Sequence, residues 1–217
     1  MTHATPPVLQ GLQVADDPAA WRAAGFAVEA DRASVGGVQL WFAGRGGGIV
    51  GWWSDRRLPA TLDGLRTIAA PPAPEPPPAT HPNGITALDH VVVASPDLDR
   101  TATALGAVGL QPRRALTAAR GDGDDDRRYL FYLLGPAVLE VIGPAAGPAS
   151  GSLGSPDAAQ AGARFVGLAF VAPDLAGLPG TTGPPRQAVQ PGRRIVTLAA
   201  DGISVPIAVL TPRVAGR

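Results

Sequence analysis

Two stretches of this chain lie over one another without a gap. Leu88-Asp89-His90-Val91-Val92-Val93-Ala94-Ser95-Pro96-Asp97-Leu98 matches Phe165-Val166-Gly167-Leu168-Ala169-Phe170-Val171-Ala172-Pro173-Asp174-Leu175. Each joins an apolar, strand-like run to a Pro-Asp-Leu that opens a turn or helix. Repetition in fixed order restricts the fold strongly. Each copy is one supersecondary unit, and such a unit must bury its apolar face against a neighbour.

Around the first copy the pattern reads β-α-β-β-β. Leu88–Ala94 is a strand, and Ser95-Pro96-Asp97 supplies an N-cap, a first-turn proline and early negative charge. Leu98, Ala102, Leu105 and Val108 follow at helical spacing, and Gly109 closes the helix. Further strands are expected at residues 112–119, 128–134 and 137–142. The second copy has a helix shortened by Gly177, Pro179 and Gly180, with strands near 194–199 and 203–210. Pro206 predicts that its final strand is an edge or bulged. A weaker copy precedes both. In it Val8–Ala15 is a strand, Asp17-Pro18 opens a helix that Gly25 ends, and Val38–Phe42 with Ile49–Trp53 reads as a hairpin.

Two linkers punctuate these pieces. Pro71 to Pro78 favours stiff polyproline conformations, and Gly143 to Gly162 is a flexible Gly/Ala/Ser/Pro connector. The expected organisation is an extra half module over residues 1–70 and a linker over 71–84. A domain of two modules, 85–145 and 163–213, then fills residues 85–217. The fold class is α+β, with βαβββ modules forming a cupped, barrel-like mixed sheet and helices outside.

Composition removes several function classes. The net charge is +0, so no basic field draws in nucleic acid. No apolar run reaches the roughly 18 residues that span a bilayer, and the start lacks a signal-peptide pattern, so the expected location is the cytoplasm. The chain has no Cys and no Lys, which excludes thiolate chemistry, Schiff bases and a P-loop lysine. No Gly-x-Ser-x-Gly elbow occurs either.

At Leu88-Asp89-His90-Val91-Val92-Val93 with Pro96-Asp97-Leu98-Asp99, and at Val138-Leu139-Glu140-Val141-Ile142-Gly143-Pro144, the chain resembles the vicinal oxygen chelate superfamily. That group includes glyoxalases, ring-cleaving dioxygenases and bleomycin-resistance proteins. The resemblance implies paired modules cupped around a divalent metal ion, with ligands on the first and last strand of each module. It places metal ligands at His90 and Glu140 and gives Glu140 a second, proton-moving role. It also implies a lyase, isomerase or oxygenase acting on a small oxygenated molecule. The matching positions in the last module are Gly167 and Ala208, and the first module has Gly11 with Gln13 two residues on. A two-fold dimer, or a ligand from His81 or Gln13, are the ways to complete such a site. The alternative function is metal-free capture of a small molecule, as in bleomycin-resistance proteins, and a third is a structural module serving assembly.

Other motifs carry blander readings. Gly44-Arg45-Gly46-Gly47-Gly48 has no helix after it and reads as a turn. Asp122-Gly123-Asp124-Asp125-Asp126 lacks the glycine and glutamate of a calcium loop and reads as a solvated acidic turn. Arg193-Arg194 could clamp an anion, but an exposed strand start is the expectation. Trp41, Trp52 and Trp53 are expected in packing.

Overall fold

The computed structural model describes residues 5–44, 46–71, 80–118, 126–145 and 161–213. Arg45, the proline-rich stretch at 72–79, most of the acidic turn and most of the second connector lie outside the described residues.

The middle repeat folds as β7 (Ala87–Ala94), α2 (Leu98–Gly106), β8 (Pro112–Ala118), β9 (Arg127–Leu134) and β10 (Ala137–Pro144). The last repeat supplies β11 (Arg164–Val171), β12 (Arg186–Gln187), β13 (Arg194–Leu198) and β14 (Ile207–Leu210). Together they form one eight-stranded mixed sheet in the order β12-β13-β14-β11-β7-β10-β9-β8. In each repeat the first strand lies parallel to the last, β7 on β10 and β11 on β14, and β7 joins β11 antiparallel at the centre. The first 71 residues carry β1 (Leu9–Val14), α1 (Pro18–Ala23), β2 (Arg32–Val35), β3 (Val38–Phe42) and β4 (Ile49–Ser54), with a short ribbon of β5 (Thr61–Leu62) and β6 (Leu65–Arg66). Their sheet runs β2-β3-β1-β4. The architecture is α+β and open at both sheet edges.

Alternation decides which face is packed. Leu139 and Val141 of β10 and Leu130, Tyr132 and Leu134 of β9 are buried, while Val138, Glu140 and Ile142 are half-buried on the opposite face. The buried face meets α2 through Leu98 and Leu105. Asp97 caps α2, accepting from the amides of Asp99 and Arg100, so the cap lies two residues beyond the Ser95 expected from the sequence. Ser95 instead holds the approach, its hydroxyl accepting from the Asp97 amide.

Three local expectations give way. Val38–Phe42 and Ile49–Ser54 do not form a hairpin, because β1 runs between them, parallel to β3 and antiparallel to β4. Pro206 stands before β14, which is an interior strand between β13 and β11. No helix follows β11, where Gly177, Pro179 and Gly180 make turns the backbone cannot wind into an α-helix. The face that helix would have covered is covered by α1. Phe170 of β11 meets Trp21 and Phe26 at ring centroid distances of 6.4 and 5.4 Å. Asp16 secures this junction by accepting from Trp21 Nε1 at 3.1 Å and from the Ser204 amide and hydroxyl.

His81 belongs to the same packing. It is buried, its Nδ1 accepts from the Ala27 amide at 3.0 Å, and its Nε2 donates to the Ser34 carbonyl at 3.1 Å. Both ring nitrogens are thereby committed, which removes His81 as a metal ligand. Burial pushes its pKa below the usual 6.5, more than the Ser34 contact raises it. A histidine held neutral by the fold binds fewer protons than in the unfolded chain. Stability is therefore full above about pH 6.5 and falls on acidification below it. A melting series from pH 7.5 to 5.5 is expected to show this decline, flattened in His81→Gln.

Candidate functional site

His90 and Glu140 project to one face from adjacent strands, Nε2 and Oε2 standing 3.4 Å apart. The other imidazole nitrogen, Nδ1, donates to Asp89 Oδ2 at 2.8 Å. Neighbours along a strand normally face opposite ways, so this contact needs a cause. The ladder supplies it. On β7 His90 pairs with Ala169 and Leu88 with Phe170, leaving Asp89 as an extra residue in a β-bulge. Leu88 thus joins Val91 and Val93 in the core, and Asp89 turns to the side of His90. The same bulge recurs in the last repeat, where Val166 is the extra residue beside Gly167.

Asp89 in turn meets Arg193, whose Nη2 lies 2.8 Å from Oδ1 in an ion pair not aligned as a hydrogen bond. Arg193 is 1% exposed, contrary to the strand-start expectation. Its Nε donates to the Thr211 carbonyl and its Nη1 to Gln190 Oε1, both at 2.7 Å. Between Arg193 and β7 stand β14 and β11, which carry the small residues Ala208 and Ala169. The order is therefore Arg193, Asp89, His90, Glu140.

Electrostatics separate the two carboxyls. Burial alone would raise Asp89, but the hydrogen bond from His90 and the Arg193 charge outweigh it and hold the group at about 2. Glu140 is raised above the usual carboxylate value by burial, with the Asp89 charge adding and His90 partly offsetting. One carboxyl is fixed as an anion and the other is poised to carry a proton.

The ladders locate the missing half. His90 opposes Ala169 as Gly167 opposes Val92, and Glu140 lies beside Val92 as Ala208 lies beside Ala169. Gly167 and Ala208 are therefore the pseudo-two-fold mates of His90 and Glu140. Ala169, Ala188 and Leu210 form an apolar cluster with Ile195 and Ala208 packed on it. In the first sheet Trp53 lies across Gly11, and a Cβ there would stand 2.2 Å from its ring. Gln13 shares that face, paired with Gly51.

Two repeats joined at antiparallel first strands, each with its last strand parallel to its first, give this chain the vicinal oxygen chelate fold. The chain is similar to a triple-substituted 4-hydroxymandelate synthase from Streptomyces coelicolor, with 13% identity and a TM-score of 0.58, over 98% of this chain and 94% of that one. It is also similar to methylmalonyl-CoA epimerase from Mycobacterium tuberculosis, with 18% identity and a TM-score of 0.42, over 60% of this chain and 91% of that one. The S. coelicolor methylmalonyl-CoA epimerase in complex with 2-nitronate-propionyl-CoA gives 20% identity and a TM-score of 0.41, over 60% and 99%. No family model and no curated protein matches the sequence.

A divalent ion, which this fold commonly carries, would find two converging donors here, His90 Nε2 and Glu140 Oε2. Asp89 steadies the histidine as metal-bound histidines are usually steadied. The third and fourth positions fall on Gly167, beside Pro206 and Val92, and on Ala208, neither of which has a donor side chain. Among the described residues no cluster of three or more metal-ligating side chains assembles. Catalytic ions are typically held by three protein ligands. The donor set of this chain does not fit a resident metal ion.

Proposed function

We propose that this protein is an acid–base enzyme that moves a proton on a carbon next to a carbonyl, or a similar electron-withdrawing group, in a small molecule. The observation that carries this reading is the 3.4 Å pairing of His90 with Glu140, with Nδ1 tied to buried Asp89. Glu140 Oε2 takes the proton as the C–H bond breaks, and the electron pair moves onto the carbonyl oxygen. His90 Nε2 can receive that proton from Glu140, and the resulting imidazolium is stabilised by Asp89. Return of the proton to the same carbon, on either side, completes an isomerisation or exchange. No outside oxidant or reductant is needed.

The direct experiment is solvent deuterium exchange followed by NMR, with small ketones and thioesters in heavy water. The protein is expected to catalyse exchange at carbon beside the carbonyl, at a rate that a chelator leaves unchanged. A panel in which no carbon-bound proton exchanges faster than in buffer overturns the proposal. In parallel, millimolar nickel or zinc is expected to leave the melting temperature unchanged, since a ligand that binds only the folded state must raise it. Stoichiometric metal that survives purification and is lost in His90→Ala would restore the metal-dependent reading.

A second reading, capture of an apolar ligand without turnover, draws on one observation. Leu133 is 44% exposed and shares a face with half-buried Tyr129 and Phe131 beside the site. Under it Glu140→Gln keeps ligand affinity and no exchange is seen.

A further inference from the structure

The two halves of the sheet face around His90 and Glu140 differ in what they leave open. On the β11–β14 side, Ala169, Leu210 and Ala188 are at most 9% exposed, and the buried Arg193 reaches Asp89. That half presents mainly small apolar groups, with Ala208 and Ile195 half-buried. On the β10–β9–β8 side the side chains stay half-exposed or exposed. Cross-strand neighbours share a face, so the ladder gives its layout. Glu140 opposes Phe131, Val138 opposes Leu133, and Ile142 opposes Tyr129. One strand further out, Phe131 opposes Arg114, and Tyr129 opposes Leu116.

Glu140, Phe131 and Arg114 therefore form one row across three adjacent strands. Two strand spacings separate its ends, roughly 10 Å between backbones. Arg114 is exposed. The half-exposed Phe131 ring lies between the proton-moving pair and this cation.

We infer that the substrate is a carbonyl compound with a terminal anionic group, carboxylate or phosphate, which Arg114 binds while the apolar middle of the molecule lies on Phe131. This rests on the acid–base reading of Glu140 and His90 and names the class of molecule it serves. Arginine suits the task because its planar fork offers paired donors to a carboxylate or phosphate. A molecule seated this way has its reacting carbon at Glu140 and its charge at the sheet edge. Long-chain or terminally neutral ketones lack the second contact.

The test uses short methyl ketones that end in carboxylate, in phosphate or in a neutral amide, measured against the full-length protein. Binding is read by saturation-transfer NMR on Glu140→Gln, which isolates affinity from turnover, and exchange is read on the unsubstituted protein. At low salt the anionic ketones are expected to bind about tenfold or more tightly than the amide. Arg114→Gln is expected to remove that preference while leaving amide binding unchanged, and Arg114→Lys to restore part of it. Whichever anion shows the larger drop in Arg114→Gln identifies the group bound. Equal binding of amide and anions, or a preference that survives Arg114→Gln, overturns the inference even where exchange is observed. Absence of exchange with an Arg114-dependent preference intact removes the acid–base reading and leaves the anion site standing.

Discussion

Arg193→Met is expected to lower the unfolding free energy by about 3–5 kcal/mol, because it strands a buried carboxylate. Asp89 has a side chain 6% exposed, and Arg193 is its nearest cation. Removing the arginine also frees Gln190 Oε1 and the Thr211 carbonyl from their donors. The pair is the cause only if losing both partners costs less than losing one. Arg193→Met combined with Asp89→Leu is therefore expected to recover most of the loss in urea denaturation. A double variant as unstable as the single would locate the effect in packing of the arginine stem instead. The same pair sets an acid limit. A carboxyl held at about 2 against an ordinary 3.8 contributes stability that is complete above about pH 4 and is lost as pH falls toward 2, on the order of 2 kcal/mol for this group.

Glu140→Gln is expected to move activity and stability in opposite directions. Loss of a positioned base typically lowers rate by about 10²–10⁴-fold, so deuterium exchange should fall by that amount. Burial raises the Glu140 carboxyl, so the folded state binds a proton more readily than the unfolded chain. Stability then falls as pH rises from the ordinary carboxylate value through the raised one, and the ionised group is a burden at neutral pH. Glutamine removes that burden and keeps the shape, so the melting temperature at pH 7.5 should rise. A variant that melts lower while exchanging at the parental rate would contradict both halves of the argument.

Much of the sheet was readable before any coordinates. Val91-Val92-Val93 and Val138 to Ile142 announced β7 and β10 by their branched residues. His90 and Glu140 stood at matching places on strands that the repeat required to be neighbours. Asp89 was not readable by alternation, because a strand of period two sends it away from His90. The signal was present in another form. Leu88 and Val91 in the core, like Phe165 packed against it and Leu168 within it, stand three apart inside a strand, the mark of an inserted residue. Arg193 was hidden for a different reason. It lies more than 100 positions from Asp89, and nothing local distinguishes it from its exposed neighbour Arg194. The β3–β4 pairing was misread because Gly44 to Gly48 has turn chemistry, whereas the strand that separates the two comes from 30 residues or so earlier in the chain.

The edge-on packing of Trp21 and Phe26 against Phe170 bears on how this chain can be divided. Among the described residues the last repeat has no helix of its own to shield that ring, and α1 of the first sheet takes that place. A fragment beginning at Ile85 would carry a complete eight-stranded sheet with a bare aromatic patch on its back. Severing the proline-rich connector while keeping both pieces would leave them every reason to stay clasped.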